Sequence, residues 1–484
     1  MEHLAFAPAL SLASKIRHKD ISARELLELY LQRVEHYNPR LNAVIFRQDK
    51  QARQRADTAD AALARGEVWG PLHGVPMTIK EHFDWIGSPS TRGNPAYQHN
   101  YPQRDAVAVE RLQAAGAIVF GKTNVPLMLA DWQSFNAVYG TTNNPWDVTR
   151  TPGGSSGGAA AALAAGLTGL ELGGDIGGSL RNPAHYCGVF GHKPTYGIVP
   201  RQGSGRPGVY APADMLVSGP LARSADDLAV ALEVLAGPAG MDAQGWRLAL
   251  PAPPKRTLHD YKVAVMLTSP CCVQDDELTA QLQQAVERLA RAGVHVVDTA
   301  RPAIDLQRAH HLFLLLLRAA SGTGVSDQQF AQHLESARQR AAEDRSYRAS
   351  LDRGVTLSHR AWWQLHNERE QMRLAWADFF HEYDVFLCPA AASAAFPHDH
   401  EGERPERTIP VNGGRELSTD QLFWAGLSGL VYLPASVAPV GLTRSRLPCG
   451  LQIVGAFLHD RTCIDFARLV AQELGGFTPP PGYD

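Results

Sequence analysis

Two serine-bearing glycine runs and one lysine carry the chemistry that this chain is equipped to do. Gly153-Gly154-Ser155-Ser156-Gly157-Gly158 is followed by Gly173-Gly174-Asp175-Ile176-Gly177-Gly178-Ser179, and Lys80 closes the apolar run Gly74-Val75-Pro76-Met77-Thr78-Ile79. A serine hydroxyl is a poor nucleophile at neutral pH and needs a neighbouring base. A lysine that burial has driven toward its neutral form can be that base. The glycines let the backbone turn N–H groups toward a reacting atom, and those of Ile176, Gly177, Gly178 and Ser179 are crowded as an oxyanion hole requires. Together these residues outline a nucleophile and a base that need no histidine.

The pattern resembles the amidase signature family, whose members hydrolyse amides through a Ser-Ser-Lys triad. That family places its lysine 75 residues before the first serine and its nucleophile 24 residues after it; here the intervals are 80 to 155 and 155 to 179. The likeness continues through Arg181-Asn182-Pro183-Ala184, Gly191-His192-Lys193-Pro194-Thr195-Tyr196-Gly197, Ser218-Gly219-Pro220-Leu221-Ala222-Arg223-Ser224 and Leu447-Pro448-Cys449-Gly450-Leu451-Gln452-Ile453-Val454-Gly455, so it covers nearly the whole chain. It implies catalysis by Lys80, Ser155 and Ser179. Ser179 is then the nucleophile, the Gly154–Ser155 peptide is cis, and Ser155 relays a proton between Ser179 and Lys80. Asp175 and Arg181 brace the nucleophile loop, with Ser156 in the same supporting layer.

Each residue also has a plainer reading. Gly-Gly-Ser-Ser-Gly-Gly is the composition of a flexible linker, but the helix-forming run Ala159 to Ala165 follows it at once, so the glycines open a helix in a compact region. A lone lysine is ordinarily a solvated surface group, yet Lys80 follows an apolar strand-like run. Gly116-Ala117-Ile118-Val119-Phe120-Gly121-Lys122-Thr123 satisfies the phosphate-loop pattern, but its middle residues read as the strand itself and Pro126 follows closely, so it is rejected. His398-Asp399-His400 lies in a charged, proline-flanked loop without a third ligand at helical spacing, and no metal or cofactor is expected.

The elements that must position these residues follow an α/β pattern. Ser22-Ala23-Arg24-Glu25 is a capping box, predicting a helix that stops before Asn38-Pro39 within a helical N-terminal segment, 1–70. In the catalytic core, 74–225, apolar runs at Val75–Ile79, Ala117–Phe120 and Leu167–Leu172 alternate with helical patterns such as Val107–Ala114, and the glycine runs fall at the junctions. Residues 237–261 form a proline- and glycine-rich connection, Tyr261–Leu267 reads as a strand and Asp276–Ala292 as a helix. A variable region, 300–415, is helical from Ala303 to Phe380 and looped from His398 to Gly414. By the resemblance it forms part of the substrate pocket. The fold implied is a single large α/β domain over 1–484, with a central mixed twisted sheet flanked by helices on both faces.

Composition excludes other classes. With 46 Lys+Arg against 49 Asp+Glu over 484 residues, no electrostatic drive toward nucleic acid exists, and a small amide-type substrate fits better. The most membrane-like stretch, Gly157 to Leu170, is shorter than a span needs and ends at Glu171; it reads as a buried helix. Six scattered cysteines and the lack of a targeting peptide lead to the expectation of a reduced cytoplasm. A homodimer is left open.

The resemblance leaves three functions to separate: a stand-alone amidase, acting on hydrophobic or aryl amides, anilides, carbamates or urethanes; the glutamine-hydrolysing subunit of a tRNA-dependent amidotransferase; and a non-catalytic glycine-rich binding or scaffold protein. The second typically reads Ser-Leu-Asp-Gln before Gly-Pro, whereas Asp214-Met215-Leu216-Val217-Ser218 precedes Gly219-Pro220 here. Glu81 stands after Lys80 where Asp is common, and Gly429-Leu430-Val431-Tyr432-Leu433-Pro434 replaces the usual Asn-x-x-Gly-x-Pro.

Overall fold

Strand Pro76–Lys80 is buried at every residue and lies parallel to Ile118–Thr123 on one side and Glu171–Asp175 on the other. A strand covered on both faces reads as a continuous apolar run rather than an alternation, which is the pattern of these segments. They belong to an eleven-stranded mixed sheet in the computed structural model, which describes residues 2–255 and 257–483. Across the sheet the order is Val44–Arg47, Ile118–Thr123, Pro76–Lys80, Glu171–Asp175, Val217–Ala222, Phe190–Lys193, Ala435–Leu442, Pro448–Val454, Val385–Pro389, Lys262–Val265 and His295–Val297. Pairing is antiparallel through the centre and parallel toward the two wings, apart from the antiparallel edge strand Val44–Arg47.

Helices cover the sheet, and the side-chain alternation of Ala435–Leu442 shows how. Ala438 and Val440 face a large apolar cluster that also holds Leu26, Leu228, Leu282 and Ile464 from four helices, while Val437 faces a smaller one built on Ala159, Ala160 and Leu163. A third cluster, around Phe313, Leu316, Trp376 and Trp424, joins the helices of 306–379 to the sheet. Among the described residues no helix is long and apolar enough to cross a membrane.

Several boundaries differ from the sequence expectation. The capping box forms as predicted, with Ser22 Oγ accepting the Glu25 N–H at 3.1 Å and Glu25 Oε2 accepting the Ser22 N–H at 2.9 Å. The helix nevertheless runs through Pro39 to Leu41, because Pro39 sits in its final turn and Asn38 Oδ1 caps the end by accepting the N–H groups of Ala43 and Val44. The strand expected over Leu167–Leu172 spans Glu171–Asp175 instead, and the helix expected from Gly157 to Leu170 ends at Ala164, where Gly166 turns the chain at φ +66°. Residues 408–417 of the polar loop form a hairpin, Thr408–Val411 with Gly414–Leu417. The rejected phosphate loop is indeed strand: Ile118–Thr123 contains Lys122, whose Nζ is buried against Pro89 O at 2.7 Å.

Candidate active site

The three residues marked out by spacing come from three separate junctions, two of them at the C-terminal ends of neighbouring parallel strands inside the sheet. Lys80 is the last residue of its strand, Ser155 lies in the loop entering helix Gly157–Ala164, and Ser179 lies in the turn between strand Glu171–Asp175 and helix Arg181–Cys187. The register that sets Ile79 opposite Leu172 carries Lys80 alongside the glycines that follow, and its Nζ donates to Gly174 O at 3.2 Å. Lys80 Nζ also lies 2.7 Å from Ser155 Oγ and 2.9 Å from Ser156 Oγ, and the side chain is 1% exposed. The Gly154–Ser155 peptide is cis. Among the described residues no hydrogen bond joins Ser155 to Ser179, which is 5% exposed; both hydroxyl-bearing residues line one cavity of about 2050 Å³.

Burial holds the Lys80 amine well below the usual lysine range. Asp175 opposes that shift, while the guanidinium groups of Arg92 and Arg201 reinforce it. Burial thus favours the neutral amine, which lies within hydrogen-bond reach of a serine. No carboxylate contacts its nitrogen, since every partner of Nζ is an uncharged oxygen.

Asp175 is the hub of the nucleophile turn. Burial would raise its carboxyl, but Arg181 outweighs this with two hydrogen bonds, Nη2 to Oδ1 at 2.9 Å and Nε to Oδ2 at 3.0 Å, and holds it down to about 2. The same carboxylate accepts the N–H groups of Gly178 at 2.8 Å and Leu180 at 3.0 Å. Gly178 therefore departs from expectation: its N–H is committed to Asp175 Oδ1 rather than turned toward the cavity. The N–H groups of Ile176, Gly177 and Ser179 make no such bond. Arg181 Nη1 continues the brace to Ala425 O, Ser428 Oγ and Gln452 Oε1, tying the turn to the helix and strand packed behind it.

A family model described as Amidase matches residues 25–464 of the chain. The chain belongs to the amidase family. It is 33% identical over 479 residues to an indoleacetamide hydrolase of Bradyrhizobium diazoefficiens, covering 96% of this chain and 86% of that one. Identity is 31% to a glutamyl-tRNA(Gln) amidotransferase subunit of Synechococcus sp. (strain CC9605), with 96% of each chain covered. Among solved structures it superposes with a TM-score of 0.82 and 28% identity on a chain described in work on a vestigial protein complex and the evolutionary origins of an s-triazine catabolic enzyme, covering 98% and 100% of the two. The chain is accordingly an amide-hydrolysing enzyme, not a non-catalytic scaffold.

Residues to which the sequence reading assigned no catalytic role also shape the candidate site. Asn182 clamps the two glycine loops together: its Oδ1 accepts the Gly154 N–H at 3.1 Å, and its Nδ2 donates to Gly154 O at 2.6 Å and Gly178 O at 2.8 Å. Trp132 Nε1 donates to Gly177 O at 2.8 Å, and its ring would meet any Cβ on Gly178 at 2.8 Å, where φ is +96°. Glu81, noted for replacing Asp, accepts the N–H groups of Thr91 and Arg92, the latter at 2.8 Å, and so organises the loop beside Lys80. His82, beside Lys80 in the cavity wall, is kept neutral by burial. Tyr432 stacks on Tyr196 at 4.4 Å and donates to Asp214 Oδ1 at 2.5 Å, so the unusual segment at 429–434 shapes the far wall through Asp214. His398 Nε2 pairs with Asn143 Oδ1 at 3.0 Å and His400 stacks on Phe135 at 3.8 Å, which gives both rings structural work.

The helical region adds apolar walls. Leu317, Phe330 and Trp362 line the cavity together with Leu422 and Trp132, whereas Leu312, Phe313 and Leu316 are core. Trp363 is exposed.

Proposed function

We propose that this amidase is a stand-alone hydrolase of linear amides that works through a Ser179–Ser155–Lys80 relay and an acyl-enzyme. Ser179 Oγ attacks the carbonyl carbon; its proton passes to Ser155 Oγ as the Ser155 proton passes to Lys80 Nζ. The tetrahedral oxyanion is met by the N–H groups of Ile176, Gly177 and Ser179. On collapse of the intermediate the C–N bond breaks, and the same relay returns a proton to the departing amine. Water then attacks the acyl ester, giving its proton to the relay, and the acid leaves as Ser179 is regenerated. Anilides, aryl carbamates and urethanes are open to the same sequence.

The observation that carries this reading is the buried Lys80, its amine pushed toward the neutral form by burial, at 2.7 Å from Ser155 Oγ in the cavity that also holds Ser179. The apolar walls at Leu317 and Trp362 support a hydrophobic or aryl substrate, in keeping with the indoleacetamide hydrolase relative. Its test is Ser179→Ala, which should lower kcat by at least about a thousandfold, as removal of a triad residue does, while fluorophosphonate labelling disappears. Retained turnover or labelling would mean that another residue is the nucleophile.

Similarity to the amidotransferase relative keeps a second reading in play, glutamine hydrolysis within a complex. Robust turnover of anilides by the isolated chain, with glutamine hydrolysis negligible, separates the two. A cytoplasmic location and a homodimer complete the proposal; sedimentation of the purified chain tests the latter.

A further inference from the structure

One half-buried cation in the cavity wall has no anion among the described residues. Arg201 lines the cavity that holds Ser179, and among the described residues its guanidinium makes no hydrogen bond or ion pair; Nε and Nη1 are buried without partners. Arg92, 7% exposed, lines the same cavity, where its Nη1 donates to Ser204 O at 3.1 Å and its Nε is also unpartnered. The neighbouring acids that form ion pairs do so elsewhere, and Asp84 acts on Arg92 rather than Arg201. Asp131 pairs with Arg407 at 2.6 Å and Asp214 with Arg369 at 2.7 Å, while the Glu81 carboxylate is taken up by backbone N–H groups and lies near Arg92 rather than Arg201.

Two guanidinium groups that repel each other, with Nε of both and Nη1 of Arg201 shut off from partners, favour an anion that would complete them. Burial and the charge of Arg92 together pull Arg201 down to about 9, the direction expected of a cation without a counter-charge. The turn carrying Arg201 is tied down by backbone bonds and close packing. Arg201 O accepts the Ser204 N–H at 3.1 Å and its Oγ–H at 2.8 Å, and Gly203, at φ +79°, accepts the Asp84 N–H at 2.8 Å; a Cβ on Gly203 would lie 2.5 Å from Ala106 Cα. The backbone that carries Arg201 is therefore held in place, and its guanidinium offers the planar fork that carboxylate recognition uses.

We propose that Arg201, supported by Arg92, forms a carboxylate-binding subsite beside Ser179, and that the amides this enzyme prefers carry an anionic group. The proposal rests on the hydrolase reading above and adds the charge of the substrate to it. An aryl or alkyl body would lie against Leu317 and Trp362 while its carboxylate meets Arg201.

The experiment uses matched pairs, succinamate with butyramide and 4-acetamidobenzoate with acetanilide, which put the charge on the acyl side or on the leaving side. In at least one pair the anionic member should have a kcat/KM at least about tenfold higher, mostly through KM, as a charge-assisted hydrogen bond supplies. Arg201→Gln should bring that ratio close to one, and Arg201→Lys should leave it in between. Independently of turnover, succinate or benzoate should raise the Tm of the wild-type protein and not of Arg201→Gln, with chloride at equal ionic strength as the control. Without ligand, Arg201→Gln should melt no lower than wild type.

Equal or better use of both neutral amides overturns the proposal, as does a ratio unmoved by Arg201→Gln. Equal carboxylate stabilisation of the two proteins, or stabilisation by inorganic phosphate alone, does so too. Failure of the hydrolase reading looks different, because neutral-amide turnover would then survive Ser179→Ala. If none of the four amides is turned over, the carboxylate-dependent Tm shift decides alone.

Discussion

At the scale of single residues, the site depends on keeping charge off groups that ordinarily bear it. The Lys80 amine is held well below the usual lysine range chiefly because burial penalises its ammonium form, and Arg92 and Arg201 add to that. Activity should therefore rise with pH along a limb whose apparent pKa lies well below the roughly 10.4 of a free lysine. Removing one positive neighbour makes the ammonium less unfavourable, so Arg201→Gln should move the limb to higher pH. A pH profile of kcat/KM for both proteins on a neutral amide checks it, and a limb displaced downward would exclude Lys80 as the base. Glu171 is the complementary case: burial raises its carboxyl to about 8, and Oε2 has no partner. A folded-state pKa above the unfolded one gives stability that is full below about 4.5 and is lost as pH climbs through about 8. Glu171→Gln, which keeps an oxygen for the Thr78 hydroxyl, should thus gain Tm over wild type progressively from pH 5 to pH 8.5, as melting curves across that range will show.

At the scale of elements, close approach decides what propensity cannot. Helix Gly157–Ala164 begins with two glycines, the weakest helix formers short of proline, and replacing one by alanine should help an isolated helix by about 1 kcal/mol. In this fold a Cβ on Gly158 would sit 2.3 Å from the Asn124 nitrogen and 2.9 Å from Ala43 O, both backbone atoms with no freedom to yield. Overpacking of this kind costs about 1–3 kcal/mol or more, so Gly158→Ala should lower stability in denaturant titrations despite its better propensity. The Asn182 clamp is the second element-level test. Asn182→Ala strips partners from Gly154 and Gly178, at about 1–3 kcal/mol for buried groups left unsatisfied, and should loosen both glycine loops at once. Faster hydrogen exchange at residues 153–158 together with a fall in kcat rather than a rise in KM is the expected signature.

At the scale of the whole molecule, chain segments far apart in sequence enclose one space. Trp362 reaches the cavity from helix His359–Phe379, far in sequence from Ser179, and packs between the rings of His359 and His366 in reaching it. A role for this region in the substrate pocket predicts that Trp362→Ala raises KM for aryl amides at least about fivefold, while a small aliphatic amide loses far less, since truncating a large aromatic removes contact area only where a substrate covers it. Equal losses on both substrates would mean that the tryptophan acts through folding alone.

The sequence by itself determined the family and the α/β class, and it marked out Lys80, Ser155, Ser179, Asp175 and Arg181 as candidates, because these depend on local composition and on fixed intervals along the chain. It also exposed the false phosphate loop, since a β-branched apolar run cannot serve as a phosphate-cradling turn. It misjudged the helix end at Pro39, where Asn38 supplies the cap that the proline seemed to deny, and it counted Gly178 among the oxyanion donors although Asp175 takes that N–H. Only the tertiary structure brought Asn182 between two glycine loops, set Trp132 against Gly178, and left Arg201 beside Arg92 without a carboxylate. These are contacts between segments tens to hundreds of residues apart. Whether a buried charge is compensated depends on the atoms around it in space, and periodicity and spacing carry no record of which those will be.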